Sequence, residues 1–281
     1  MIANARMYGV NREVALLWRD LLTAIIAAAG LDIELLDHPA PAPLDDLWRR
    51  SDMAAVFMCG LPFSRAAPQP VLVAAPVPSP PAFGGEARYW SDFVVRRDSR
   101  FHSVADTLGH RIAFTVPDSQ SGCIAALTYL SALHPADTAG GDRGPLYAEI
   151  IAPTITPQGA LESVIRGAAD IAPIDSYALA LLAAHQPELA ARVRVVGRTE
   201  ATPIPVLVAS HPGAEAEALS AAFVAAHADP KAAPLMQQLL LQRFVRPAAG
   251  SYDRLRDEFT AATRFWRTHS LAAVGHPAFA W

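Results

Sequence analysis

The sequence has little cysteine and almost no lysine. Two cysteines, Cys59 and Cys123, are too few for a disulfide scaffold or a cysteine-rich zinc site. Of 23 basic residues only Lys231 is a lysine; the planar arginine fork suits anions, although genome composition alone also produces such a bias. Basic tracts interleaved with aromatics are absent, and 27 acidic against 23 basic residues leave a net charge of −4, so no nucleic-acid partner is expected. The nine histidines are scattered, with no HExxH and no pair at i, i+4; neither a metal centre nor a cofactor is expected. Long apolar runs are missing too. The uncharged stretch 21–31 covers 11 positions between Asp20 and Asp32, against the roughly 20 of a membrane-spanning helix. Its Ala27-Ala28-Ala29 end invites comparison with a secretory leader, but Glu13 and Asp20 precede it. Leu17, Leu21, Ala24, Ile25 and Ala28 recur there at helical spacing, so the stretch reads as an amphipathic helix and no direct membrane insertion is expected.

What is present is core material: 52% hydrophobic residues exclude global disorder, and 281 residues suffice for about two domains. Strand and helix signals alternate, with strands at 2–8, 32–37, 53–59 and 71–77 and helices at 12–29 and 44–50. A second unit follows, with strands at 89–96, 111–116, 147–151, 169–174 and 193–197 and helices at 119–133, from 156, and at 176–185. Such alternation predicts an α/β fold with mostly parallel sheets. After a strand at 205–210, three helices are predicted at 214–227, 231–243 and 252–268. This last segment holds too little strand to stand alone and is expected to complete the first lobe. The lobes are therefore residues 1–90 with 201–281, and 91–200 inserted between them. Two chain crossings would create a ligand cleft and allow hinge closure. The glycine-rich segment 139–145 reads as a loop, and Phe279-Ala-Trp281 as packing on the fold or on a partner.

The most informative stretch runs from Phe101 to Gly122. Its Ser119-Gln120-Ser121-Gly122 turn opens a helix, where unpaired amides and the helix dipole favour an anion, and Gly122 permits close backbone approach. Taken locally, Ser119 or Ser121 is equally an N-cap. Thr156 followed by Pro157 opens a second helix, and Asp175 stands before a third. At strand ends of the first lobe lie Tyr8-Gly9 and Cys59-Gly60, where ligands of open α/β sheets collect. Tyr8 also reads as a core tyrosine, Asp175 as an N-cap, and Tyr89 and Trp90 as hinge packing. A thiolate at Cys123 would be favoured by its helix start, yet no base is placed beside it, so no catalytic residue is assigned and both thiols read as inert.

The chain resembles the phosphate/phosphite/phosphonate substrate-binding proteins of ABC importers. The likeness is carried by Asp106-Thr-Leu-Gly-His-Arg-Ile-Ala-Phe114 before Ser119-Gln-Ser-Gly122, by residues 160–175, and by Tyr89-Trp-Ser-Asp-Phe-Val-Val95. It implies a two-lobed type II periplasmic-binding-protein fold, a small anionic ligand, an ABC permease as partner, and a periplasmic location, with a cytoplasmic one as the alternative. In relatives the Ser-x-Ser-Gly turn grips phosphonate oxygens, a role that maps onto Ser119, Gln120, Ser121 and Gly122. Their Ser-His before the next helix is Thr156-Pro157 here, which keeps a hydroxyl and lacks the imidazole. The acids that receive an aminoalkyl group in relatives are not clearly reproduced: Asp175 lies near that region, and Tyr177 occupies a place where relatives carry an acid. Tyr8, Cys59 and Tyr89 would shape the remainder of the site. Two rivals are a cytoplasmic enzyme acting on a small carboxylated metabolite and a ligand-sensing module.

Overall fold

The computed structural model describes residues 1–133, 145–248 and 250–268. Most of the 139–145 loop and the terminal Phe279-Ala-Trp281 lie outside them. The chain divides into two compact units, the first made of Met1–Tyr89 with Thr202–Asp253, the second of Trp90–Ala201 with the segment from Arg254 onward.

In chain order the first unit holds β1 (Ile2–Asn4), α1 (Arg12–Ala28), β2 (Glu34–Leu35), α2 (Leu44–Trp48), β3 (Met53–Met58), α3 (Gly60–Arg65), β4 (Val71–Pro78) and β5 (Arg88–Tyr89). The second unit follows with β6 (Ser91–Arg96), β7 (Arg111–Ala113), α4 (Ala125–Leu133), β8 (Glu149–Ile151), α5 (Pro157–Ile165), β9 (Ile171–Asp175), α6 (Ser176–His185), α7 (Pro187–Ala190) and β10 (Val193–Arg198). β11 (Thr202–Pro203), β12 (Val206–Ala209), α8 (Ala214–Ala225), α9 (Ala232–Gln238) and β13 (Leu241–Val245) return to the first unit, and α10 (Arg254–Thr268) joins the second.

The first unit is a six-stranded sheet in the order β13-β4-β12-β3-β1-β2. β1 runs parallel to β2 and β3, whereas β12 is antiparallel to both β3 and β4. Every residue of β3 is buried, as expected of a strand covered on both faces. α1 starts where the Asn11 side chain accepts the Val14 amide at 2.8 Å and ends beside Gly30 at φ +68°. Its buried stripe, Val14, Trp18, Leu21, Leu22, Ile25 and Ile26, follows the helical period. Trp18 and Phe57 meet edge to face at 5.1 Å, and Phe244 and Phe223 extend the aromatic cluster.

The second unit is a five-stranded sheet in the order β10-β6-β9-β7-β8. β7 is parallel to β8 and β9, and β6 is antiparallel to β9 and β10. The starts of β7 and β9 are tied by Arg111, whose Nε and Nη2 donate to the two Asp170 oxygens at 2.9 and 3.1 Å. Burial raises the Asp170 carboxyl's pKa, but the Arg111 hydrogen bonds outweigh it and hold the group below its usual value. Being partly exposed, the pair is worth about 1 kcal/mol at most. A carboxyl lowered on folding contributes above its unfolded pKa of about 4 and loses that contribution as pH falls through the folded value. Asp170→Asn is therefore expected to melt a few degrees below the wild type at pH 7, with a narrower gap at pH 3. An equal gap at both pH values would show that the charge plays no part.

Four expectations are corrected here, the first being that of mostly parallel sheets: among the described residues the sheets are mixed, with β1-β2, β1-β3, β7-β8 and β7-β9 parallel and the other strand pairs antiparallel. The 231–243 segment is helical only over Ala232–Gln238; Leu240 takes φ +53°, and Leu241–Val245 becomes an edge strand against β4. Residues 6–8, expected as strand, form a short 3-10 turn. The helix from Arg254, assigned by sequence to the first lobe, belongs to the second unit, because it packs against α4; Leu255, Ala262 and Phe265 form its buried stripe.

Candidate functional site

Adjacent parallel strands β9, β7 and β8 each lead from their carboxyl ends toward a helix start. The topology thus gathers three N-caps, Asp175, Ser119 and Thr156, along one edge of the second unit's sheet. Open α/β sheets place ligands at such an edge.

Ser119 caps a π-helical turn, Gln120–Ile124, that runs into α4. Its Oγ accepts the Gly122 amide at 3.0 Å. Thr156 repeats the device on α5, its Oγ1 accepting the Gly159 amide at 3.0 Å. A hydroxyl that accepts an amide keeps its own proton for donation. Each of these helix ends therefore offers a hydroxyl donor together with a positive dipole end and no permanent negative charge. The third end differs. Asp175, only 6% exposed, takes the Tyr177 and Ala178 amides at 2.9 Å each, so this N-terminus is already satisfied by a carboxylate.

Both glycines of these caps are required by space. A Cβ on Gly122 would lie 1.9 Å from Thr115 Oγ1, and one on Gly159 would lie 2.3 Å from the Thr154 carbonyl oxygen. Thr115 links the two turns through its backbone, its amide donating to the Gly122 carbonyl at 3.2 Å and its carbonyl accepting the Ile155 amide at 3.4 Å. Ser91 on β6 steadies the first turn by donating its hydroxyl to the Ser121 carbonyl at 2.6 Å.

The structure brings Ser119, Ser121, Gly122 and Thr156 to the same sheet edge. Gln120 does not present its amide there: it is fully buried and its Nε2 donates to Glu258 on α10 at 2.9 Å. Tyr177 is fully buried behind its cap, and burial, then the Asp175 charge, push its phenol well above the ordinary range. Cys123 is fully buried as well; burial, then Asp118, raise its thiol, which stays protonated at neutral pH despite the helix start. Tyr8, Cys59 and Tyr89 belong to the first unit. The Tyr8 ring is 1% exposed and lies against Trp18 and Phe57. Cys59 precedes α3 near Tyr252, and Tyr89 pairs with Thr202 between β5 and β11. Trp90 donates its indole N–H to Asp92 at 3.0 Å, and Arg198 lies 5.2 Å over its ring. Among the described residues no group of three or more histidines, cysteines or acids is arranged to hold a metal.

Sequence reasoning missed Thr115, Ser91 and Gly159. One signal for the last was legible: Thr156-Pro-Gln-Gly159 has the hydroxyl-x-x-glycine spacing of Ser119-Gln-Ser-Gly122.

The model of a protein family described as periplasmic substrate-binding proteins of phosphonate ABC transporters matches residues 11–252. No curated protein sequence matches the chain. Among solved structures, a binding-protein component of an ABC phosphonate transporter from Pseudomonas aeruginosa is 16% identical, with a TM-score of 0.78 over 99% of this chain and 92% of that one. PhnD1 of Prochlorococcus marinus, solved with methylphosphonate, is 13% identical with a TM-score of 0.72 over 89% and 94%. A Xanthomonas citri protein solved with ATP is 20% identical with a TM-score of 0.62 over 95% and 98%. At these identities the structures show a shared fold.

Proposed function

Because the chain belongs to the periplasmic substrate-binding family of phosphonate ABC transporters, we propose that it binds a tetrahedral phosphorus oxyanion at the paired helix ends of its second unit. The family is one of binding proteins that deliver a small ligand to a permease, and no described helix is long and apolar enough to cross a membrane.

One observation carries the reading: two helix N-termini on neighbouring strands carry the same hydroxyl-to-glycine cap. The hydroxyls of Ser119 and Thr156, with that of Ser121, are the donors, and the helix ends supply the compensating field. No lysine or arginine is needed, which fits an acidic protein. Phosphonates, phosphite and phosphate share the tetrahedral head that such donors recognise.

Calorimetric titration with methylphosphonate, inorganic phosphate and phosphite, with sulfate as contrast, tests this. Saturable one-to-one binding of at least one phosphorus oxyanion is expected. The reading is lost if none of the three binds in the millimolar range or below.

A further inference from the structure

The Thr115 hydroxyl is a buried polar group that no hydrogen bond among the described residues accounts for. The residue is 5% exposed, and among the described residues its Oγ1 has no hydrogen-bond partner. Leaving a buried hydroxyl unpaired costs stability, so a valine, of nearly the same shape, would serve the core better. The group also lies against the first helix end. Its Oγ1 is 1.9 Å from the position a Gly122 Cβ would take, so the hydroxyl lies directly over the backbone of the first helix end. The backbone of the same residue connects that turn to Ile155, just before the Thr156 cap. Thr115 thus stands between the two helix ends, and both of its backbone hydrogen bonds fix its position relative to them.

We propose that Thr115 is a ligand-binding residue, its hydroxyl donating to an oxygen of the bound oxyanion between the Ser119 and Thr156 caps. This rests on the anion-binding reading above. A single threonine hydroxyl adds one directional donor with no charge. It therefore sharpens selection for tetrahedral oxyanions over planar carboxylates, which have no oxygen outside the plane to offer to a donor placed between two helix ends.

The test compares Thr115→Val, Thr115→Ser and Ser119→Ala by calorimetry with methylphosphonate and inorganic phosphate, and by thermal melting. For Thr115→Val, affinity is expected to fall 10- to 100-fold, the effect of losing a hydrogen bond to a charged group. Its melting temperature should be unchanged or higher, since the lost hydroxyl has no partner in the fold. Thr115→Ser should retain affinity within a few-fold. If Thr115→Val binds like the wild type while Ser119→Ala is weakened, the Thr115 assignment is overturned and the site reading stands. A melting loss in Thr115→Val that Thr115→Ser restores, without any change in affinity, likewise makes the hydroxyl structural and overturns the assignment. If the wild type binds neither probe, the anion-binding reading falls and takes this assignment with it.

Discussion

Gly122→Ala is expected to abolish oxyanion binding, with affinity reduced on the order of 100-fold or more. The added methyl would sit 1.9 Å from Thr115 Oγ1 and 2.9 Å from both Thr115 Cβ and Ser119 Oγ. Rotating the Thr115 side chain removes the first clash and leaves the Cβ contact. Moving the backbone instead breaks the Thr115 amide bond to the Gly122 carbonyl and the Gly122 amide bond to Ser119. Either way the turn opens, and the hydroxyls and amides no longer converge. Overpacking of this kind costs about 1–3 kcal/mol, so the variant should also melt several degrees lower. Calorimetry with methylphosphonate and a melting curve read both effects. Wild-type affinity in a folded Gly122→Ala protein would remove this turn from the binding site.

The double variant Ser119→Ala with Thr156→Ala comes next in expected effect. Each hydroxyl has two roles: it caps a helix by accepting a glycine amide, and it is proposed to donate to the ligand. Loss of a cap costs about 1 kcal/mol of stability, so the two together should lower stability by about 2 kcal/mol. Loss of a hydrogen bond to a charged ligand costs about 1.5–3 kcal/mol. Two such losses would weaken binding by roughly 10²- to 10⁴-fold, the exact sum depending on coupling through the shared ligand. The discriminating measurement is therefore the ratio of the two effects: binding collapses while the fold survives with a moderate loss. Stability loss without any change in affinity would reduce both residues to plain helix caps.

These expectations rest on features that differ in how far the sequence announces them. The caps are local. Ser119 to Gly122 and Thr156 to Gly159 are three-residue relations, and a hydroxyl before an apolar helical run is visible in any listing of the chain. The strands of the core were legible for a similar reason, since continuous apolar stretches such as 53–58 can only be buried. Long-range relations were not. Ser91 reaches Ser121 across 30 positions, and Gln120 reaches Glu258 across 138; no spacing rule connects them. The stripe of Leu255, Ala262 and Phe265 marks α10 as amphipathic, but a stripe does not say which surface covers it. The missed strand at Leu241–Val245 is a different case. Its two buried residues, Leu241 and Phe244, stand three positions apart instead of alternating, so the segment does not show a strand's period of two and reads as a continuation of the helical signal up to Gln238.

The strand order has a consequence for how the protein is made. In the first sheet β12 lies between β3 and β4, although both of those neighbours are translated more than a hundred residues earlier. A chain growing from its amino end therefore carries β3 and β4 with open inner edges until Val206–Ala209 has been synthesised. The second sheet has no such wait, since all five of its strands fall between residues 91 and 198. The sheet of the inserted segment can form while the first sheet is still incomplete, and only α10 joins that unit later. Exposed apolar strand edges invite pairing with other chains, so the nascent first unit is the stage of biogenesis most in need of protection.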